Sequence, residues 1–201
     1  MIGQLRNLIS RDVTMKNVNS TDRSQNLARD NAFFGYASSI DPSRVAAETH
    51  ATDSYQNVLF SILRFRLHTG RYPDQVTVVT HEFKRERFMS CHFPAVGLDK
   101  PGRGSVIGIN PPEEVTPLEE LLDGEEKRGL GLWKRDRYGV GAELKEKRME
   151  RGWVDGLEKG LWVGVGLEPV VEELVHWNGG SAGNELFPDI MELPWCRNVK
   201  N

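Results

Sequence analysis

Residues 44–88 read RVAAETHATDSYQNVLFSILRFRLHTGRYPDQVTVVTHEFKRERF, and the fold is decided here. Asp53 followed by Gln56 has the spacing of a helix-capping pair. Val58, Leu59, Ile62, Leu63, Phe65 and Leu67 then recur near period 3.6, which predicts a helix opening at Asp53 and ending before Gly70. Tyr72-Pro73-Asp74 reads as a turn, and Gln75–Thr80 as a β-branched strand. A second helix is expected over Glu82–Cys91, crowded with Lys84, Arg85 and Arg87, and stopping before Pro94. Upstream, Arg44–Glu48 reads as a short buried strand. Alternation of strand and helix is the order of an open α/β sheet, in which ligands sit beyond the carboxyl ends of the strands.

Outward from this stretch the signal weakens. A helix is expected over Ser20–Phe34, with Leu27, Ala28, Ala32 and Phe33 on its apolar face and Gly35 ending it. Residues 1–19 are weakly patterned. Ser105–Ile109 is a further strand, cut off by Asn110-Pro111-Pro112. Residues 113–160 are highly charged and glycine-rich. Within the rest, Glu143–Arg151 and Pro169–Trp177 have helical patterns, while Leu161–Leu167 alternates glycine with apolar residues. The expected fold is therefore α/β: a three-layer Rossmann-like, mostly parallel sheet with an irregular charged C-terminal extension. Residues 20–112 form its core and 113–201 an extension packing on that core.

Composition excludes some functions. The 201 residues carry a net charge of -3, so there is no general attraction for nucleic acid or an anionic membrane. The basic stretches at 134–151 are interleaved with acids and read as a solvated surface rather than an RNA site. No apolar run approaches the roughly 20 residues that span a bilayer, and a cytoplasmic location is the default. Cys91 and Cys196 lack a metal-ligand spacing and read as free thiols of a reducing compartment, with a disulfide between them as the alternative. Gly160, Gly164 and Gly166 do not form a dinucleotide fingerprint, since Leu167-Glu168-Pro169 follows instead of a helix with the third glycine. There is no Gly-x-Ser-x-Gly elbow, phosphate-binding P-loop or paired Cys motif.

The candidate site residues cluster in the same stretch. Asp53, Ser54 and Asn57 stand at a helix start, where free backbone N–H groups favour an anion. Thr80 and His81 stand at the carboxyl end of the strand, and an imidazole titrates near neutrality. Lys84 and Arg87, three apart, share a helix face that can neutralise a phosphate or carboxylate. Glu48 closes the upstream strand and can pair with a ribose hydroxyl, a metal or an arginine. His81 and Asp53 are the candidate proton carriers, and no reaction follows from them.

ETHATDSYQN (48–57), VLFSILRF and VTVVTHEFKRERF together resemble the SanA/ElyC/YdcF-like family, domain-of-unknown-function family 218, in its fungal cytoplasmic branch. The family pattern is a glutamate, then Asp-Ser-x-x-Asn opening a helix, then a strand before a Phe-Lys-x-x-Arg-Phe helix and a histidine. The chain matches at Glu48, Asp53, Ser54, Asn57, Phe83, Lys84, Arg87, Phe88 and His92. Ile107–Pro112, Asp136–Gly139 and the closing Phe187–Trp195 are similar to the C-terminal region of that branch. The resemblance implies a Rossmann-like sheet and a small anionic or nucleotide-like ligand, with S-adenosylmethionine as one candidate cofactor. The family also opens with an apolar strand and a glycine-rich loop, which are not found in residues 1–19, so a truncated start is expected. The rival expectation is a non-catalytic interaction protein or inactive family member.

Overall fold

The structure is a computed structural model that describes residues 27–39 and 41–197. Two compact units are distinguished, Met1–Thr49 and His50–Asn201. Residues 1–19, and the part of the expected first helix before residue 27, lie outside the described residues.

In the first unit the chain departs from expectation. Residues 27–30 are helical, but Ala32, Phe33 and Phe34 turn left-handed at φ 50°, 51° and 54°. Asn31 ends the helix by donating its side-chain amide to the Leu27 carbonyl at 2.8 Å, a local bond that competes with continuation. The strand expected over Arg44–Glu48 is not formed. Pro42–Arg44 is a 3₁₀ turn, held by the Asp41 carboxylate accepting from the Ser43 N–H and hydroxyl at 2.9 and 2.8 Å. Extended backbone needs a neighbouring strand for its hydrogen bonds, and β pairing among the described residues is confined to the second unit.

The second unit is mixed α/β. Helix α1 (Ser54–Thr69) runs from the Asp53 cap to Gly70, whose φ of 80° gives the left-handed turn that stops it. Strand β1 (Val76–Thr80) follows, then a helical stretch α2 over residues 82–95, then strand β2 (Gly104–Gly108). β1 and β2 pair in parallel from Val76↔Gly104 to Thr80↔Gly108, so β1–α2–β2 is one crossover unit. The sheet has these two strands among the described residues. Stretch α2 runs through Pro94, against expectation. A π turn at Phe88–His92 displaces the ladder, with Phe93 N–H bonded to the Phe88 carbonyl, and Pro94 then falls in the first turn of Phe93–Ala95. A missing N–H is tolerated there.

The C-terminal half is more ordered than its composition suggests. Residues 118–133 form α3, assembled from Leu118–Glu125, a π turn at Glu126–Leu130 and Gly131–Trp133. Glycines at 124, 129 and 131 hide this helix from a periodicity reading. Helices α4 (Ala142–Glu150), α5 (Leu157–Leu161) and α6 (Pro169–Val175) follow. Trp133, Tyr138, Leu144, Trp153, Val171 and Leu174 of this half join Leu59, Ile62 and Leu63 of α1 and Phe93 of α2 in one apolar core. Val106 faces that core, while Val79, Ile107 and Ile109 on the other sheet face are exposed. Cys91 and Cys196 are both free and buried. Burial raises both thiols, Cys196 to about 11. No helix among the described residues is long and apolar enough to cross a membrane.

Leu63 is fully buried at 0% exposure, so Leu63→Ala is expected to cost roughly 2–5 kcal/mol. Val79, 68% exposed, should tolerate Val79→Thr within about 0.5 kcal/mol. Urea denaturation of both variants checks the contrast, since reversed magnitudes would place the core on the wrong face of the sheet.

Candidate functional site at the start of helix α1

The first turn of α1 is built by its own sequence. Asp53 is extended at φ -142°, ψ 177°, and its carboxylate accepts from the Gln56 N–H at 2.8 Å. The Gln56 side chain reaches back and accepts from the Thr52 N–H and hydroxyl at 2.9 and 2.7 Å. This is a reciprocal cap displaced by one residue from the usual box. It fixes the direction in which Ser54 leaves the helix.

Side chains from distant segments then converge on that turn. The Ser54 hydroxyl lies 2.7 Å from His92 Nε2 and accepts from Arg87 Nη1 at 3.2 Å. Arg87 is held in a two-pronged ion pair with Glu125 of α3, Nε donating to Oε1 at 2.6 Å and Nη2 to Oε2. The side chains are 14% and 5% exposed, so the pair is sealed from solvent. The second oxygen of Asp53 pairs with Arg148 of α4, and Arg148 also donates to the Tyr138 carbonyl at 2.7 Å. Gly129 is required beside the first pair, because a Cβ there would meet both Arg87 and Glu125. Both π turns, Phe88–His92 and Glu126–Leu130, flank this pair, as such turns often do at functional sites.

His92 is fully buried, edge-on to Trp133 at 4.6 Å and to Phe88 at 5.2 Å. Burial above all, then Arg87 and Arg148, holds its pKa well below the ordinary 6.5. An arginine can only donate, so Ser54 accepts from Arg87, and the direction of its bond to His92 Nε2 follows the ring tautomer. The other ring nitrogen, Nδ1, has no hydrogen-bond partner among the described residues. Ser54 and His92 thus have the spacing of a nucleophile and base, but no carboxylate orients the ring from behind. Ser54 is a positioned hydroxyl at the helix start.

The charge around this turn does not balance. Lys84, Arg87, Arg148 and Arg151 stand against Asp53 and Glu125. Arg151 donates to the Thr52 carbonyl at 3.0 Å rather than to a carboxylate. Lys84 makes no ion pair among the described residues and sits 5.4 Å from the Phe83 ring. Its ammonium is pushed below the usual lysine range by burial first and then by Arg87, with Arg151 adding to the repulsion and Glu125 opposing it.

The structure thus brings together Asp53, Ser54, Lys84 and Arg87 of the expected residues. Asn57 is exposed on α1. Thr80 is half-buried at the end of β1, and the exposed His81 stacks on Phe83 at 5.2 Å. Glu48 belongs to the first unit. Sequence reasoning missed Glu125, Arg148 and Arg151, which lie in charged helices that read as solvated faces. His92 carried a signal only through the family pattern.

Comparison with known proteins adds one relative. The chain is 30% identical over 145 residues to the uncharacterized protein YOR238W of Saccharomyces cerevisiae, a match covering 68% of this chain and 45% of the relative. The chain therefore spans less than half the length of the curated relative it matches. No family model and no solved structure matches.

Two consequences are measurable. The unfolded chain takes up a proton near pH 6.5 that native His92 refuses, so its contribution is complete above that pH and is lost as pH falls below it. Urea denaturation between pH 7.5 and about 5.5 should show stability falling by up to about 1.4 kcal/mol per pH unit from this group, and less in His92→Gln. Arg87→Ala should cost roughly 3–5 kcal/mol by stranding Glu125, while Arg87→Met with Glu125→Leu restores most of it. Equal stability of Arg87→Ala and wild type would mean that the pair is not buried in solution.

Proposed function

We propose that this chain binds a small anionic or nucleotide-like ligand at the N-terminus of α1. In this reading the β1–α2–β2 unit is part of a three-layer Rossmann-like sheet of the SanA/ElyC/YdcF type, and the ligand sits beyond the carboxyl ends of its strands. The observation that carries the proposal is the surplus of positive charge: four cationic side chains face two carboxylates around a helix start. Both carboxylates are already spent in buried pairs. Lys84 and Arg151 make no ion pair among the described residues, and an anion supplies what the site lacks. Arg87 and Arg148 are framework, and Ser54 is the hydroxyl that Arg87 and His92 hold. S-adenosylmethionine fits this scheme through its carboxylate, and phosphate esters fit it through their oxygens. No reaction is assigned.

A second reading, a non-catalytic interaction protein, is favoured by the apolar patch of Val79, Ile107 and Ile109 on the outer sheet face. The two readings separate by thermal unfolding with inorganic phosphate, nucleotides and S-adenosylmethionine. A ligand that binds only the folded state, at about 100 times its dissociation constant, adds roughly 2.7 kcal/mol. The expected result is a raised midpoint with one of these compounds, lost in Lys84→Ala and Arg151→Ala while their unliganded midpoints stay near wild type. A cooperative transition moved by none of them, or moved equally in both variants, would favour the interaction reading.

A further inference from the structure

Among the described residues four buried side-chain polar atoms have no hydrogen-bond partner: Tyr55 Oη, His92 Nδ1, Glu158 Oε2 and Trp162 Nε1. Native proteins leave few such atoms, because an unmet buried donor or acceptor forfeits its hydration. Three of the four belong to residues lining two neighbouring cavities.

Helix α5 and its C-terminal residue put Glu158 and Trp162 one turn apart, on one face. Both line a cavity of about 300 Å³ together with Val163, Glu172, Val175 and His176. That volume is at the lower end of small-molecule sites, about 300–1,000 Å³. Among the described residues its charged walls are two carboxylates, with no lysine or arginine. His176 Nδ1 is already engaged, donating to the Glu172 carbonyl at 2.7 Å. Trp162 is only 6% exposed and packs edge-on against Phe60 at 5.3 Å.

The second cavity, about 340 Å³, shares Glu158, Val175 and His176 with the first and adds Tyr55, Trp153 and Trp177. Its two cations do not answer Glu158. Lys145 is paired with Asp155 at 2.7 Å, and Arg148 is paired with Asp53.

We infer that the cavity walled by Glu158, Trp162 and Glu172 binds a small organic ammonium that also carries a hydrogen-bond acceptor, an amino alcohol of the choline type. A buried carboxylate oxygen without a partner is compensated by a cation or a strong N–H donor. The Trp162 indole in the wall attracts a cation further. Trp162 Nε1 can only donate, so the same ligand must present an acceptor to it. An anion meets two carboxylates and is repelled. Lys84, Arg87 and Arg151 line neither cavity, so this inference goes beyond the anion site and does not depend on it.

The test titrates the whole chain with choline and with its uncharged isostere 3,3-dimethylbutan-1-ol, read by tryptophan fluorescence and calorimetry. Saturable choline binding is expected, weaker by roughly tenfold for the isostere, by the loss of one charged contact. Glu158→Gln should weaken choline by a similar factor, and Trp162→Phe should weaken it while keeping the packing on Phe60. Lys84→Ala should leave it unchanged, which keeps the outcome separate from that of the anion site. Absence of saturable binding at millimolar choline, or equal affinity for the isostere, would overturn the inference. So would unchanged affinity in both variants. If Glu158→Gln fails to unfold cooperatively, the isostere and Trp162→Phe decide.

Discussion

A guanidinium cannot shed its charge, and the arrangement of the second unit depends on how one such group is buried. Arg87 leaves α2 just before the π turn, enters a nearly sealed space and is met by Glu125 of α3. Taking two full charges out of water costs several kcal/mol each, and only close two-pronged geometry with further hydrogen bonds offsets it. That requirement explains the surroundings. Gly129 leaves room for the pair, and the π turn around it brings the backbone close. Ser54 takes a third guanidinium donor, which ties α1 to α2 and α3 through a single side chain.

The same economy recurs at Asp53. One oxygen caps α1 and the other holds Arg148, which also donates to the Tyr138 carbonyl. Two acidic residues therefore discharge two guanidinium groups inside the protein. The charge left over resides on Lys84 and Arg151, and Lys84 feels Arg87 as a repulsive neighbour. Structure and function divide along that line. Groups that are paired and buried hold the fold, and Lys84 and Arg151, which make no ion pair among the described residues, are the ones on which the proposed anion site rests.

Local patterns carried much of the fold. The cap at Asp53, the period-3.6 stripe to Leu67 and the left-handed stop at Gly70 are short-range signals, and α1 follows them closely. The β-branched run at β1 is equally local. Helix α3 was illegible because three glycines break its pattern, and only packing of Leu132 and Trp133 into the core compensates for them. Arg44–Glu48 looked like a strand because apolar residues in a row suit one, but a strand exists only when a neighbour accepts its hydrogen bonds. Pro94 looked like a stop because a proline breaks an α ladder, and it does not break one already shifted by a π turn.

The sequence by itself determined where α1 and β1 begin and end, and that Asp53, Ser54, Lys84 and Arg87 lie near a helix start and a strand end. Those are consequences of bonds and side-chain periods spanning a few residues. Only the tertiary structure decided which of these charges are neutralised. Glu125 stands 38 residues from Arg87, and Arg148 stands 95 from Asp53. No local rule pairs residues at that separation. Burial makes those pairings obligatory once the core has formed, and it leaves Lys84, Arg151 and Glu158 outside any ion pair among the described residues.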